Sequence, residues 1–196
     1  MRYEAIVIGV SAGGLQALKT LLPALSSTSL PPIAIVQHIE EHSGSFMVEY
    51  LDQLCSFSVK EAEDKEPMLA GHAYLAPAGY HLLVEPDRTF SLSVDERVNY
   101  CRPSVDILFE SAAEAFGNSL IGVILTGGNK DGAKGLQTVA ARGGVTIVQH
   151  PETAEAQPMP RAAREAVPEA ACLPLEQIAP FLMQLCTSPS KKKRIP

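Results

Sequence analysis

The 196-residue sequence contains no apolar run that approaches the roughly 18 residues needed for a membrane-spanning helix. Its first residues lead directly into a strand-like run, without the charged segment followed by an apolar segment that marks a secretory signal. Charged residues make up 19% and hydrophobic residues 46% of the chain, a balance typical of folded rather than disordered proteins. We therefore expect a cytoplasmic protein that does not insert into a membrane.

Closely spaced cysteines are also missing. Neither the four cysteines nor the five histidines show the spacing of zinc ligands, and the chain has no Cys-x-x-Cys pair. No cysteine lies in a glycine-rich segment of the kind that presents a nucleophile. We predict no metal site and four reduced thiols that mostly fill the core: Cys55, Cys101, Cys172 and Cys186.

Basic residues are scarce outside the C-terminal end. The formal net charge is −6, and four of the 16 basic residues stand together at positions 191–194. Without those four, twelve basic residues oppose 22 acidic ones, and a body with that charge repels nucleic-acid phosphates. We predict a single domain over residues 1–187, a basic and mobile tail over residues 188–196, and no nucleic-acid partner.

Strand-like apolar runs alternate with segments of helical spacing along most of the chain. Continuous apolar strands are typical of a parallel sheet covered on both faces, so the predicted fold class is α/β, a doubly wound and mostly parallel sheet with helices on both faces. In the middle of the chain, turn signals separate short segments and predict an antiparallel hairpin region that adds strands at one edge of the sheet. The predicted strands are 4–10, 33–37, 57–62, 72–76, 80–85, 89–95, 120–126, 145–149 and 171–173, and the predicted helices are 15–25, 43–54, 105–116, 132–142, 160–167 and 175–186.

Three of these apolar runs are each followed by one member of a hydrolytic triad. Ser11 follows the first strand, His38 the second, and Asp131 the strand that begins at residue 120. In a parallel sheet the carboxyl ends of the strands meet at one edge, where ligands bind. The sequence therefore predicts that a nucleophile, a base and an orienting carboxylate come together, which favours a hydrolase.

The serine segment, residues 9–13, fits the G-x-S-x-G pattern of a nucleophile elbow at a strand-to-helix junction. A helix cap is the structural alternative for Ser11, since serine is a favoured residue there. A dinucleotide site is disfavoured, because it needs a glycine at Ser11 and an acidic residue where Gln37 and His38 stand. A Walker loop is excluded, because Ala133 rather than lysine follows Gly132.

The histidine and the aspartate complete the predicted chemistry. His38 is the candidate base, with His150 as its substitute, and Asp131 is expected to accept from the Nδ1–H of His38. Each also has a structural alternative: His38 as an ordinary strand-end residue, and Asp131 as a helix cap. Backbone N–H groups at the serine turn and in the aspartate loop are candidates for oxyanion or substrate binding, at Ala12, Gly13, Gly127, Gly128 and Asn129.

At this point the chain resembles a known family, the catalytic domain of bacterial chemotaxis protein-glutamate methylesterases. The resemblance covers residues 6–182. It rests on several motifs that occur in the same order as in the family, at residues 8–14, 37–38, 71–77, 102–106, 125–133 and 159–160. It implies a serine hydrolase that demethylates glutamyl methyl esters on the cytoplasmic helices of chemoreceptors, with deamidation of glutamines there as a second activity. It implies that Ser11, His38 and Asp131 form the catalytic triad, and that no metal or organic cofactor takes part.

The chain departs from that family at three points. Many members carry a phosphorylatable receiver domain, which places them in a phosphorelay; since this sequence starts at the catalytic strand, we expect it to lack phosphorylation control in cis. Ala12 stands where threonine is frequent, and Gly128 and Asn129 replace a frequent Met-Gly. Two alternatives remain open: an esterase of the same fold that acts on another protein or a small ester, and a non-catalytic binding module.

Overall fold

Nine strands and six helices form the part of the chain that the computed structural model describes, residues 3–25, 30–38 and 46–187. The strands are β1 (Ala5–Val10), β2 (Ile33–Gln37), β3 (Ser58–Glu61), β4 (His72–Leu75), β5 (His81–Val84), β6 (Phe90–Ser93), β7 (Leu120–Ile124), β8 (Val145–Gln149) and β9 (Ala171–Leu173). The helices are α1 (Gly14–Leu21), α2 (Phe46–Leu54), α3 (Val105–Phe116), α4 (Ala133–Ala141), α5 (Pro158–Ala166) and α6 (Leu175–Thr187).

Seven of the strands form one parallel sheet in the order β3-β4-β2-β1-β7-β8-β9. The central strand β1 pairs with β2 on one side and β7 on the other. The chain winds outward from β1 through β2 and later returns to β7 on the opposite side of β1. The carboxyl ends of β1 and β7 thus mark a topological switch point, the place where doubly wound sheets bind their ligands.

Helices cover both faces of the sheet, which explains why β1 is apolar at every position. Ile6 and Ile8 of β1 pack into a core with α1, α2 and α6, whereas Ala5 and Val7 pack on the other face with α3, α4 and α5. All six residues of β1 are buried. A strand with no solvent face has no reason to alternate polar and apolar residues.

The predicted fold class is confirmed, but the hairpin region is placed differently from the prediction. Strands β3 and β4 extend the main sheet in parallel orientation, and only β5 and β6 pair in antiparallel fashion, as a separate two-stranded sheet. The expectation that antiparallel strands lie at an edge of the main sheet is therefore wrong. The hairpin packs over α3 instead, because Leu82, Val84 and Phe90 are apolar on the side that faces that helix.

Some predictions fall outside the described residues. These are the first three positions of the predicted helix 43–54 and the whole tail 188–196. Within residues 3–25, 30–38 and 46–187, no helix has the length and apolarity needed to cross a bilayer.

Close packing of α3 against α4 gives a test of the fold. A Cβ at Gly135 of α4 would lie 2.6 Å from the Cβ of Phe109 and 3.0 Å from backbone atoms of Asp106. We expect Gly135→Ala to lower the free energy of unfolding by about 1–2 kcal/mol, because overpacking outweighs the roughly 1 kcal/mol that alanine gains in a helix. Urea denaturation measures the change.

Gly128→Ala is the matched control for that substitution. Among the described residues, no atom beyond the chain neighbours lies within 4 Å of the position that a Cβ would take at Gly128, so the free energy of unfolding of Gly128→Ala should differ from that of the wild type by less than about 0.5 kcal/mol. Equal stability of the two variants would contradict the described packing of α3 on α4.

Candidate active site

Ser11 and His38 lie side by side at the carboxyl edge of the sheet, one residue beyond β1 and β2. The two strands pair with Val10 opposite Gln37, and the His38 N–H donates to the Val10 carbonyl at 3.1 Å. The Ser11 N–H donates to the carbonyl of Thr126, just beyond β7, at 2.9 Å. The ends of three neighbouring strands therefore meet at the serine.

The side chain of Gln37 ties these two strand ends together. Its Nε2 donates to the carbonyls of both Ser11 and His38, each at 2.9 Å. The amide is buried against Gly14, where it leaves no room for a Cβ. In the sequence, Gln37 counts against a dinucleotide site and belongs to a family motif, but neither observation predicts this positioning role.

His38 forms a hydrogen bond with Asp131, although not through the predicted ring nitrogen. His38 Nε2 lies 2.8 Å from Asp131 Oδ2. The prediction that Asp131 accepts from Nδ1–H is therefore wrong. Asp131 is held against the first turn of α3, and from there it contacts Nε2 of the ring. The lone pair available to a neighbouring hydroxyl is then that of Nδ1.

Asp131 is fully buried and held by donors from the segment before α3. Ser104 Oγ donates to Oδ1 at 2.8 Å, and the Val105 N–H donates to Oδ2 at 2.6 Å. Burial by itself would raise the pKa of this carboxyl, but the hydrogen bonds from His38, Val105, Asn99 and Ser104 lower that pKa below its usual value. Asp131 therefore stays ionised, as an acceptor for His38 requires.

A tight turn over residues 98–101 brings two further side chains to the site. Val98 and Cys101 exchange backbone hydrogen bonds at 2.8 and 3.1 Å, while Asn99 and Tyr100 have positive φ angles of 50° and 65°. Two left-handed residues in succession are typical of a type I′ turn, and asparagine is favoured there. The turn directs Asn99 Nδ2 toward Asp131 Oδ1 at 3.1 Å.

A second buried carboxylate, Asp106, holds the aspartate loop in place. Its Oδ1 accepts from the N–H groups of Gly132 and Gly135 at 2.9 and 2.7 Å, and its Oδ2 accepts from Asn99 Nδ2 at 3.0 Å. Burial and the nearby Asp131 raise the pKa of Asp106. Asp106 has no predicted role in the sequence analysis, since nothing in its local pattern shows that α3 reaches the start of α4.

His38 is half-buried, and its protonation is governed by its two side-chain partners. Burial opposes the charged form, but the hydrogen bonds and charges of Asp131 and Cys101 outweigh burial and raise the pKa of His38 to about 9. The imidazolium is therefore the favoured form at neutral pH when no substrate is bound.

Cys101 contacts the candidate base, which its sequence context did not predict. Its Sγ lies 3.6 Å from Nδ1 of His38 and accepts from Asn129 Nδ2 at 3.2 Å. It is half-buried beside the candidate base, so the prediction that the cysteines mostly fill the core does not hold for Cys101. No spacing rule finds this contact, because the two residues are 63 positions apart.

His150, the substitute base, has a local structural role instead. Its Nδ1 accepts from the Glu152 N–H at 3.3 Å in the turn that follows β8. The carboxylate that would orient a base lies against His38 and not against His150.

The predicted oxyanion donors separate into two groups. Among the described residues, no hydrogen bond is recorded for the N–H groups of Ala12 and Gly13, which follow Ser11 and precede α1. Gly13 has a φ of 76°, and the Ala12 carbonyl is held by Thr126 Oγ1 at 2.8 Å. These two N–H groups remain candidates, because they lie directly after the nucleophile as an oxyanion hole requires.

The loop after β7 fits the oxyanion role less well. The N–H of Gly127 donates to the Ala156 carbonyl at 3.0 Å, so the prediction that Gly127 supplies a free N–H is wrong. The side chain of Asn129 is engaged with the Cys101 sulfur and with the Asp131 N–H. Gly128 is exposed and open on all sides, so it is left as a contact for substrate.

An open cleft of about 390 Å³ lies beside Ser11. Gly13, Gly14, Met47 of α2 and Glu155 are among the residues that line it, and it is open to solvent. Within the part of the chain that the structure describes, Ser11 Oγ makes no recorded hydrogen bond and is left for a ligand.

A comparison with protein-family models matches residues 6–182 to the CheB methylesterase family. The chain belongs to this family. The resemblance inferred from the sequence motifs is thereby confirmed.

Individual CheB proteins match over nearly the whole chain. A Leptospira interrogans relative (strain Fiocruz L1-130), whose name assigns it provisionally as a protein-glutamate methylesterase/protein-glutamine glutaminase, is 52% identical over 185 residues, 94% of this chain and 96% of its own length. A Chromohalobacter salexigens relative with the same two activities in its name is 38% identical over 195 residues, 98% of this chain but 55% of its own length. The crystal structure of the Thermotoga maritima CheB methylesterase catalytic domain superimposes with a TM-score of 0.89 at 34% identity, over 94% of this chain and all of that one.

The pairing of His38 with Asp131 in this CheB domain is directly testable. We expect the His38 ring to titrate near pH 9 in the wild-type protein and well below that in Asp131→Asn, because burial then acts without an opposing carboxylate. NMR of the imidazole protons, assigned by their loss in His38→Gln, measures both midpoints. Asp87→Asn, at an exposed carboxyl with other partners, should leave the midpoint unchanged. An unshifted midpoint in Asp131→Asn would contradict the described pair.

Proposed function

We propose that this chain is a serine hydrolase that demethylates glutamyl methyl esters on the cytoplasmic helices of chemoreceptors and deamidates glutamines there. The CheB membership and the activities named for its relatives support the reaction class and the substrate. The observation that carries the proposal is the 2.8 Å contact of His38 with Asp131 at the strand end beside Ser11. A buried carboxylate that orients an imidazole next to a serine is the arrangement of a nucleophile with its base.

In the first half of the proposed reaction, the Ser11 hydroxyl attacks the glutamyl carbonyl while Nδ1 of His38 takes the hydroxyl proton. Nε2–H stays bonded to Asp131, whose negative charge stabilises the imidazolium that forms. The oxyanion of the tetrahedral intermediate accepts from the N–H groups of Ala12 and Gly13. The C–O bond to the methoxy group then breaks, and methanol leaves with the proton from Nδ1.

The second half regenerates the enzyme. Water gives a proton to Nδ1 of His38 and attacks the acyl-enzyme carbonyl, and the bond to Ser11 Oγ breaks as that oxygen takes the proton back. The product is a glutamate side chain. A glutamine substrate follows the same route, with ammonia in place of methanol as the first leaving group.

Removal of the nucleophile is the first test. Ser11→Ala should lower the rate of methanol release from methylated receptor by a factor of at least about 10⁴, because no other group takes over the covalent step. The far-UV and thermal unfolding profiles should stay close to wild type, since Ser11 Oγ has no recorded partner within the described residues. Gas chromatography of released methanol measures the rate.

The outcomes of that assay separate the alternatives. Wild-type turnover by Ser11→Ala would contradict the proposed mechanism. Turnover of simple esters without turnover of receptor would favour an esterase with another substrate. A chain that neither turns over esters nor reacts at Ser11 with a fluorophosphonate would instead be a binding module.

The pH dependence of the reaction follows from the base. His38 must be neutral to accept a proton, and its pKa is raised to about 9, so kcat/KM should rise about tenfold per pH unit up to about that value. In Cys101→Ser the midpoint should move to lower pH, because a partner that raises the His38 pKa is gone. Cys172→Ala, on the edge strand β9, is the control that should keep the wild-type profile. A profile that is flat above pH 6 would contradict the role of His38.

A further inference from the structure

The contact between Cys101 and His38 has no part in the proposed reaction. The sulfur faces Nδ1, the ring nitrogen that has to accept the serine proton. Asn129 Nδ2 and the carbonyl of Asn99 hold the sulfur from two other sides, at 3.2 and 3.4 Å. The structure thus holds a thiol next to Nδ1 of His38, the nitrogen that acts as the base.

The distance between the two atoms fits the coordination sphere of zinc. Cys101 Sγ and His38 Nδ1 are 3.6 Å apart. With Zn–N near 2.0–2.1 Å, Zn–S near 2.3 Å and a tetrahedral angle, two such ligands lie about 3.6 Å apart. The observed separation of the two atoms therefore matches that of two ligands on one tetrahedral zinc ion.

The opposite side of the ring already has the partner that zinc-binding histidines use. Histidines that bind zinc almost always donate their other N–H to a carboxylate or carbonyl, which fixes the ring and leaves the metal-binding nitrogen unprotonated. Here Nε2 meets Asp131 Oδ2 at 2.8 Å, and Ser104 and Val105 hold Asp131 in turn. His38, Cys101 and Asp131 form the one cluster of three potential metal-binding side chains in the part of the chain that the structure describes.

We infer that His38 Nδ1 and Cys101 Sγ form a binding site for a thiophilic divalent cation such as Zn²⁺, and that the bound cation inhibits hydrolysis by occupying the base. The thiol proton is released to solvent as the Zn–S bond forms, and the proton that the imidazolium carries on Nδ1 is released as the Zn–N bond forms. Water molecules complete the tetrahedral coordination. Binding itself is independent of the proposed function, whereas the inhibition rests on it.

Binding is tested with Co²⁺ and Zn²⁺ on the metal-free full chain. Co²⁺ should give a sulfur-to-cobalt charge-transfer band in the wild-type protein, in Ser11→Ala and in Cys172→Ala, but not in Cys101→Ser. Zn²⁺ affinity, measured by competition with a chromogenic chelator, should fall at least about tenfold in Cys101→Ser, since loss of a ligand costs no less than loss of an outer-shell partner. Equal affinity in Cys101→Ser and wild type, or no charge-transfer band, would overturn the site.

Inhibition is measured as ester hydrolysis against Zn²⁺ concentration, each variant relative to its own metal-free rate. Zn²⁺ should inhibit the wild type and Cys172→Ala at the same concentration, and EDTA should restore the rate. Cys101→Ser should need at least about tenfold more Zn²⁺. A charge-transfer band in a protein that hydrolyses no ester would support the metal site and reject the proposed function. If Cys101→Ser and the wild type both hydrolyse esters and are inhibited at the same Zn²⁺ concentration, the inference alone would be rejected.

Discussion

The buried carboxylate of Asp131 is the constraint on which the site depends. A carboxylate with no exposure to water has to be surrounded by donors, since an unpaired buried charge costs several kcal/mol. Its donors come from the end of β2 and from residues 99–105, which lead into α3, while Asp131 itself stands in the loop before α4. Three segments that are remote in sequence are thus placed by one charge, and the position of His38 follows from that placement.

The two carboxylates at the start of α3 and α4 share one amide and have opposite protonation tendencies. Asn99 donates to both Asp106 and Asp131, yet burial and the neighbouring charge raise the pKa of Asp106 while hydrogen bonds lower that of Asp131. Divergent environments of this kind let adjacent acids take different roles. Asp106 joins α3 to the glycine N–H groups at the start of α4, and Asp131 carries the charge that faces the imidazole.

The sequence was enough to predict which strands bring the candidate residues together, but it was not enough to predict the contacts between their side chains. Buried parallel strands have a strong apolar signature, so the ends of β1, β2 and β7, and hence Ser11, His38 and Asp131, were predictable from local pattern and topology. The ring nitrogen that meets Asp131 was not, because it depends on how α3 approaches the loop. Asn99, Cys101 and Asp106 act across long sequence distances through a turn that no periodicity marks. The hairpin was predicted as a hairpin, but its place over α3 depends on packing that becomes visible only in three dimensions.

The amide of Gln37 joins the main chain at Ser11 to the main chain at His38, so these two positions behave as one rigid piece. The cleft beside Ser11 is lined by Gln37 itself and also by more distant parts of the molecule, Met47 on α2 and Glu155 beyond β8. The hydrogen bonds that join these two positions are made by Gln37 and do not involve Met47 or Glu155. Substitutions at Met47 or Glu155 would therefore reshape the groove and leave the link between the two strand ends in place.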